Sequence, residues 1–268
     1  MDVIAWLVLG AALVLGVPGA LYLAQDGMLF LPQPGPARPP QARAGRAVEP
    51  LEFTAADGVR VRGWLVRPAR TLSPLVIYYG GNAEEVSWQA SQPWPDDWSL
   101  ALVNYRGYGQ SEGKPSEQAL FADAELVFDA LVARADVDRA RIVLVGRSLG
   151  SGVATYVAAR REVAGLVLIS PYDSVTALAQ RHYPFLPVGL LLKHPFDSLN
   201  RAPGIAAPLL AIVGERDGII LPEHSLRLYE AWGGPKRWTS IPGAGHNDLG
   251  AQREFWGPIA EFLAERAR

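Results

Sequence analysis

Residues 141–150 read RIVLVGRSLG, and this stretch decides the fold. Its first half contains the apolar run 142–145, the pattern of a parallel strand that is buried on both faces. Its second half, 146–150, is a G-x-S-x-G motif, in which a tight turn joins a strand to a helix. Small residues are needed at this turn because the backbone passes too close to its neighbours for a bulky side chain. The turn presents Ser148 above the sheet, which makes Ser148 the candidate nucleophile.

Short apolar runs recur on both sides of this motif. Two of them, 51–54 and 59–66, surround the turn Ala56-Asp57-Gly58 and predict a pair of strands. The later runs are nearly continuous, as expected for parallel strands buried on both faces. They lie at 75–79, 100–104, 142–145, 166–169 and 209–213.

Helical patterns fill the gaps between these strands. Apolar residues lie on one helix face at positions 120, 124, 127 and 131, and again at 256, 259 and 263. Strands that alternate with helices predict an α/β fold with a mostly parallel sheet. A single domain, residues 51–268, accommodates all of these elements.

One segment interrupts the alternation. About forty residues separate the strand that ends at 169 from Pro208, and a structureless loop of that length is uncommon in a compact domain. The segment contains two apolar stretches, 175–179 and 186–192. We therefore expect a small helical cap over the site at about 171–207; the alternative is surface packing without a substrate role.

The N-terminal region has a different composition. Residues 3–24 carry no charge, and a run of this length can cross a bilayer at about 1.5 Å per residue. We predict a single-pass transmembrane helix within residues 1–25, followed by a Pro-, Gly- and Arg-rich linker at 26–50. A cleaved signal peptide would need a basic start and a small-residue cleavage site, and a buried core helix is the third alternative. Arg38, Arg43 and Arg46 follow the run and no basic residue precedes it. Because positive charges flanking a membrane helix favour the cytoplasmic side, this pattern favours a cytoplasm-facing domain.

Bulk composition excludes several classes of function. The chain has 268 residues and a formal net charge of −2, so nothing indicates a nucleic-acid partner. It contains no cysteine, which excludes disulfides, thiolate metal sites and a cysteine nucleophile. Apolar residues make up 49% of the chain, enough for a substantial core.

A serine hydroxyl needs a base within hydrogen-bond reach, and four histidines are available. His182 and His194 fall in the cap, and His224 lies at the start of a helix predicted at 222–232. His246 lies in a glycine-rich loop after the predicted strand 236–241, where it can reach across the carboxyl edge of the sheet. We therefore predict His246 as the base; the alternative is a loop histidine that caps the following helix.

The base needs an acid to orient it. Asp217 follows the strand 209–213 directly, and Gly218 allows a sharp turn there. Asp217 could instead be an Asx-turn residue, which is common at such places, and Asp173 and Glu215 are rival acids. The order nucleophile, acid, base along the chain is the order found in α/β-hydrolases.

An oxyanion hole supplies two hydrogen-bond donors, usually backbone N–H groups. The first is expected to be the N–H of Leu149, just after the nucleophile at a helix N-terminus. The second is expected from the loop after the strand 75–79, which begins with two glycines. We assign it to the N–H of Asn82, with Gly81 as the alternative; Asn82 could also be a helix N-cap.

Taken together, these stretches resemble membrane-anchored α/β-hydrolase-domain proteins of the serine aminopeptidase-like group. The matching stretches are Gly80–Ala83, Asn104–Gly113, Gly146–Gly150, Gly214–Asp217 and Gly243–Asp248. The resemblance implies an eight-stranded α/β-hydrolase fold with helices on both faces of the sheet. It also implies hydrolysis of esters, thioesters or amides without a metal or cofactor, and relatives with an anchor are linked to lipid or acylated-protein substrates. Two departures are Gly80 and Asn104, where many relatives have His and Asp.

The predicted function is that of a serine hydrolase that cleaves a carboxylic ester or thioester of an acyl, lipid-like substrate through an acyl-enzyme. The apolar cap and the anchor favour such a substrate. A serine aminopeptidase or amidase is the first alternative, because Glu84 and Glu85 beside the oxyanion loop could receive a free amine. A non-catalytic scaffold with the same fold is the second. Halide- or epoxide-type hydrolases are disfavoured because Ser148 stands where they need aspartate.

Overall fold

The computed structural model describes residues 16–267, and of residue 44 only the backbone. Eight strands form one sheet in the order β1-β2-β4-β3-β5-β6-β7-β8. They are β1 Ala47–Thr54, β2 Arg60–Arg67, β3 Ser73–Tyr79, β4 Ser99–Val103, β5 Val137–Arg147, β6 Gly165–Ile169, β7 Leu209–Gly214 and β8 Lys236–Ile241. The strands β1, β2 and β4 pair antiparallel, and the pairs from β4 onward are parallel. The predicted mostly parallel, eight-stranded sheet is confirmed.

Helices cover both faces of this sheet. They are α1 Val17–Leu29, α2 Glu117–Val132, α3 Leu149–Ala158, α4 Val175–His182, α5 Val188–Leu191, α6 Pro222–Ala231 and α7 Trp256–Arg266. Alternate residues of β3 point to opposite faces: Leu75 and Ile77 pack in one core cluster with α2 and α3, whereas Val76 packs in the other with α7. Both clusters are fully buried, which is why the parallel strands read as continuous apolar runs.

The predicted cap corresponds to a segment with two short helices. The apolar stretch 175–179 lies in α4, and the stretch 186–192 contains α5. Ser174 caps α4, because its hydroxyl accepts a hydrogen bond from Ala177 N. Beyond α5 the chain returns to the core at Phe196, which is fully buried although its φ is 40°. The two ends of the cap are bonded to each other, because Val175 N donates to the carbonyl oxygen of Pro195 and Ser198 N donates to that of Asp173.

The N-terminal region differs from the predicted anchor and linker. Residues 1–15 of the predicted anchor lie outside the described residues, and its last residues begin α1. Within residues 16–267 no helix has both the length and the apolar character needed to cross a membrane. The predicted linker 26–50 is not extended throughout, since it contains the end of α1, a 3₁₀ turn at Arg43–Gly45 and the start of β1. Phe30 is only 3% exposed and packs edge-on against His194 and Phe196, which holds this segment to the cap.

Candidate active site

The turn between β5 and α3 has the strained geometry that the motif predicts. Ser148 adopts φ 51° and ψ −118°, a conformation that non-glycine residues rarely occupy. A Cβ atom at Gly150 would lie 2.1 Å from the carbonyl oxygen of Tyr79, and one at Gly146 would lie 2.4 Å from the carbonyl oxygen of Gly150. Only glycine fits at these two positions. The turn therefore holds Ser148 at the carboxyl edge of the sheet, partly exposed, at the N-terminus of α3.

The structure brings the three predicted polar side chains into one chain of hydrogen bonds. Ser148 Oγ lies 3.0 Å from His246 Nε2, and His246 Nδ1 lies 2.8 Å from Asp217 Oδ2. Because the carboxylate can only accept, Nδ1 carries the proton and Nε2 is left to accept from the serine hydroxyl. This is the geometry in which a histidine removes a proton from a serine nucleophile.

The environment of Asp217 keeps its carboxyl group ionised. The residue is 1% exposed, and this burial by itself would raise the pKa. The hydrogen bond and charge of His246 and the N–H of Ile220 outweigh the burial, so the pKa of Asp217 lies below its ordinary value. Asp217 Oδ1 accepts from Ile219 N at 3.0 Å and from Ile220 N at 2.8 Å, which fixes the carboxylate while Oδ2 faces His246.

The rival acids have other partners. Asp173 is buried and lies 2.8 Å from His224 Nδ1, and it also accepts a hydrogen bond from Arg227. Glu215 is exposed and contacts Ser240. Among residues 16–267, no group of three or more histidine or acidic side chains is arranged to hold a metal ion. Asp217 is therefore the acid that the structure places beside His246.

The two predicted oxyanion donors lie on either side of Ser148. Leu149 is the first residue of α3, where a backbone N–H has no partner within the helix. Across the turn, a Cβ built at Gly81 would lie 3.5 Å from Ser148 Cβ, so the loop after β3 runs directly beside the serine. The N–H of Gly81 is already bonded to Glu84 Oε2 at 2.6 Å, whereas in the described part of the chain the N–H of Asn82 makes no hydrogen bond. Of the two alternatives, Asn82 is the one with a free donor.

A buried carboxylate organises this loop. Glu84 is only 7% exposed. Its Oε1 accepts from Tyr78 Oη at 2.9 Å and from Trp88 Nε1 at 3.2 Å, and its Oε2 accepts from Gly81 N and from Arg147 at 3.3 Å. Burial and the negative charge of Glu84 raise the pKa of Tyr78 well above its ordinary value, so Tyr78 is a donor to Glu84. The acceptor sites of this carboxylate are occupied by the protein itself.

Arg147, the second residue of the G-x-S-x-G motif, connects three segments of the site. Its guanidinium contacts Glu84 and donates a hydrogen bond to the carbonyl oxygen of His246 at 3.2 Å. The oxyanion loop, the nucleophile turn and the histidine loop are thus joined through one side chain. Sequence analysis did not assign a role to Arg147; the available signal was a charged residue between a buried strand and the candidate nucleophile.

The segment after β4 supports the oxyanion loop from the other side. Tyr105 Oη donates to the carbonyl oxygen of Gly80 at 2.9 Å, and Tyr108 Oη donates to Asn82 Oδ1 at 2.8 Å. Asn104 donates to Glu85 Oε1 at 2.9 Å. An aspartate at 104 would place a second carboxylate beside Glu85, which gives a physical reason for the asparagine found there.

The topology, with a serine on the turn between a central parallel strand and a helix, defines an α/β hydrolase, and comparison with known proteins agrees. The profile of the alpha/beta hydrolase fold family matches residues 73–197. The uncharacterized protein Rv2307c of Mycobacterium tuberculosis is 40% identical over 217 residues, which cover 79% of this chain and 77% of that protein. This chain belongs to the alpha/beta hydrolase fold family.

Solved structures are similar to this chain in fold. Acetyl xylan esterase 1 from Thermoanaerobacterium superposes with a TM-score of 0.68 at 18% identity, covering 92% of this chain and 93% of the esterase. The esterase Pf2001 of Pyrococcus furiosus superposes with a TM-score of 0.66 at 20% identity, covering 88% of this chain and 97% of the esterase. At these identities the likeness concerns the fold.

Proposed function

We propose that this protein is a serine hydrolase that cleaves a carboxylic ester or thioester through an acyl-enzyme on Ser148. One observation carries the proposal: Ser148, His246 and Asp217 form a continuous chain of hydrogen bonds at the carboxyl edge of the sheet. The esterases of similar fold support the reaction class. The positive φ of Ser148 supports a catalytic role over a scaffold role, because backbone strain of this kind clusters at active sites.

The reaction follows from the positions of the donors and acceptors. Ser148 Oγ attacks the carbonyl carbon while its proton passes to His246 Nε2, and Asp217 stabilises the imidazolium that forms. The oxyanion receives hydrogen bonds from the N–H groups of Leu149 and Asn82. Collapse breaks the bond to the alcohol or thiol, which takes the proton from His246. Water then attacks the acyl-enzyme with His246 as base, and the carboxylic acid leaves with Ser148 restored.

The acidic pair beside the oxyanion loop argues against the aminopeptidase alternative. An aminopeptidase needs a free carboxylate to receive the substrate's ammonium group. Glu84 is buried and, within residues 16–267, accepts hydrogen bonds from five residues, which are Tyr78, Gly81, Trp88, Gln89 and Arg147. Glu85 caps the 3₁₀ helix Val86–Ser91 by accepting from Ser87 N and Ser87 Oγ, and it also accepts from Asn104. Both carboxylates already accept several hydrogen bonds from the protein, so an ester or thioester, which brings no ammonium group, fits the site better.

Hydrolysis of p-nitrophenyl butyrate and of a butyryl thioester tests the proposal. The wild-type chain is expected to cleave both, with a burst of p-nitrophenol equal to the enzyme concentration if deacylation is the slower step. Ser148→Ala and His246→Ala should each lower kcat by at least about 10³-fold. Thr71→Ala removes an exposed hydroxyl just before β3, at the end of that strand opposite the oxyanion loop; it is the control and should keep the wild-type rate. Wild-type turnover by Ser148→Ala would overturn the proposal.

We propose further that the apolar N-terminal segment attaches the protein to a membrane, with the catalytic domain on the cytoplasmic side. The support is the uncharged run at 3–24, most of which lies before α1, and the exposed Tyr22 and Leu23 of α1, whose side chains can meet lipid. The cytoplasmic side is favoured by the three arginines that follow the run, which are Arg38, Arg43 and Arg46. The double substitution Leu7→Arg/Leu13→Arg introduces two charges, each costing about 2.5–3.5 kcal/mol at the centre of a membrane helix. It should move the protein from the carbonate-washed membrane pellet to the supernatant. A variant that stays in the pellet would contradict an anchor at this segment.

A further inference from the structure

A cavity of about 390 Å³ lies between α1 and the cap. Its volume falls within the range of small-molecule binding sites, about 300–1,000 Å³. Of its fifteen lining residues, eleven are aliphatic or methionine side chains. The other four are Tyr22, Gln25, His182 and Tyr183. A site with so few polar groups suits an apolar ligand.

The wall that α1 contributes is fixed by specific contacts. Gln25 Nε2 donates to the carbonyl oxygen of Leu191 at 3.1 Å, and its Oε1 accepts from Lys193 N at 2.7 Å. Asp26 lies 3.0 Å from His194 Nε2 and 3.4 Å from Lys193 Nζ. A helix held this way, with several bonds to the cap along one edge, is a structural part of the cavity.

Two residues that line the cavity are hydrogen-bonded to the loops that carry the catalytic groups. Ile219, one of its lining residues, donates its N–H to Asp217 Oδ1. Leu29 also lines the cavity, and its carbonyl oxygen accepts from Asn82 Nδ2 at 2.7 Å. The lining therefore includes one residue bonded to the catalytic acid and one bonded to the oxyanion loop.

We propose that this cavity receives the acyl chain of the substrate whose carbonyl group is attacked by Ser148, with α1 as one wall. The inference rests on the proposed function and names its substrate class, a medium-length or longer fatty acyl ester or thioester. The acyl chain lies between α1 and α4, where it contacts Leu21, Leu29 and Leu178. Acyl specificity thus depends on a segment that lies before the first strand of the sheet.

Chain-length dependence is the first test. Burial of one methylene contributes about 0.8 kcal/mol, which is about fourfold in kcat/KM. The four additional methylenes of an octanoyl chain over a butyryl chain should therefore raise kcat/KM by about 10²-fold. The p-nitrophenyl esters are compared below their micelle concentrations with the full chain. A wild type that cleaves both esters at similar kcat/KM overturns the acyl-pocket inference and leaves the proposed hydrolase standing, whereas cleavage of neither overturns the hydrolase itself.

Two matched pairs of variants test the two walls. On α4, Ala179 lines the cavity and Ala177 does not. Ala179→Trp should reduce kcat/KM for the octanoyl ester by about tenfold or more, with less than about twofold change for the acetyl ester. Ala177→Trp is the control and should leave both values unchanged. If Ala179→Trp lowers kcat/KM equally for the octanoyl and acetyl esters, while Ala177→Trp lowers neither, the inference is overturned.

The pair on α1 tests the less expected wall and remains available if Ala179→Trp does not fold. Leu21 lines the cavity, whereas Leu23 is 78% exposed on the same helix and does not line it. Leu21→Trp should lower kcat/KM for the octanoyl ester by about tenfold and leave kcat/KM for the acetyl ester unchanged. Leu23→Trp should change neither value. If Leu21→Trp and Leu23→Trp both leave the octanoyl preference intact, α1 does not form the acyl pocket.

Discussion

Glu84 offers the sharpest test of how the site is held together. Replacement by glutamine keeps the shape of the side chain but removes its charge and turns one acceptor oxygen into an NH₂ donor. One half of the carboxylate accepts from Gly81 N and Arg147, and the other half accepts from Tyr78 and Trp88. Whichever way the amide turns, its NH₂ group faces donors.

The size of the effect follows from these contacts. A hydrogen bond to a charged group contributes about 1.5–3 kcal/mol, and an unpaired buried donor costs about 1–3 kcal/mol. We expect the free energy of unfolding of Glu84→Gln to fall by about 3 kcal/mol. Loss of one oxyanion donor costs about 10²–10³ in kcat. Because Glu84→Gln shifts the oxyanion loop rather than removing the Asn82 N–H, kcat should fall by about 10–10²-fold.

The assay combines urea unfolding with measurement of kcat and KM for p-nitrophenyl acetate. The acetyl group of this substrate is too short to fill the acyl cavity, so changes in kcat report on the oxyanion loop. Glu85→Gln is the matched control, since Glu85 caps the neighbouring 3₁₀ helix without touching Gly81 or Arg147. It should lose about 1 kcal/mol of stability, as for other N-caps, and keep kcat. If Glu84→Gln loses stability but keeps the wild-type kcat, Glu84 supports the fold without positioning the oxyanion loop. An equal loss of kcat in Glu85→Gln would also refute the reasoning.

Three further predictions concern the triad and its turn. Asp217→Asn should lower kcat by about 10⁴-fold, because the amide favours the wrong imidazole tautomer, and steady-state hydrolysis measures the loss. The pKa of Asp217 is lowered in the folded state, so its carboxylate stabilises the fold above the unfolded pKa of about 3.9, and this stabilisation is lost as the pH falls toward the folded pKa. Below about pH 5, the free energy of unfolding in urea should therefore fall more steeply with pH for the wild type than for Asp217→Asn. Parallel plots of this free energy against pH would contradict the prediction. Gly150→Ala places a Cβ 2.1 Å from the Tyr79 carbonyl and should cost more than about 4 kcal/mol, whereas Gly218→Ala meets nothing within 4 Å and should leave the thermal midpoint nearly unchanged.

The sheet and the positions of the triad were predictable from the sequence because their signals are local. A parallel strand buried on both faces is a short apolar run, and every predicted run coincides with a strand of the sheet. The residues that follow the carboxyl ends of such strands come together at one edge. The placement of Ser148, Asp217 and His246 beside one another follows from this topology.

The support of the oxyanion loop was not predictable in the same way. In the sequence, Glu84 and Glu85 form an acidic pair of the kind found at an exposed helix start. Glu84 is instead buried because donors from β3, the glycine loop and the nucleophile turn converge on it, the last of them 63 residues away in Arg147. The sequence contains these donors but does not show that they meet.

The role of α1 was missed for a related reason. An uncharged N-terminal run predicts a membrane segment from hydropathy alone. The bonds of Gln25 and Asp26 to the cap join residues 166–168 positions apart, and no local pattern indicates such pairings. The cavity is formed by the packing of α1 on the cap, and the periodicity of apolar residues in the sequence does not predict such packing.

The central claim, that Ser148 is an activated nucleophile, is tested most directly by mapping the adduct of a fluorophosphonate. Trypsin cleaves after Arg147 and Arg160, so the modified serine would lie in peptide 148–160. We expect one adduct per chain, located on Ser148, and no adduct in His246→Ala over the same time. A wild-type protein that stays unmodified, or one modified at a different residue, would contradict the account.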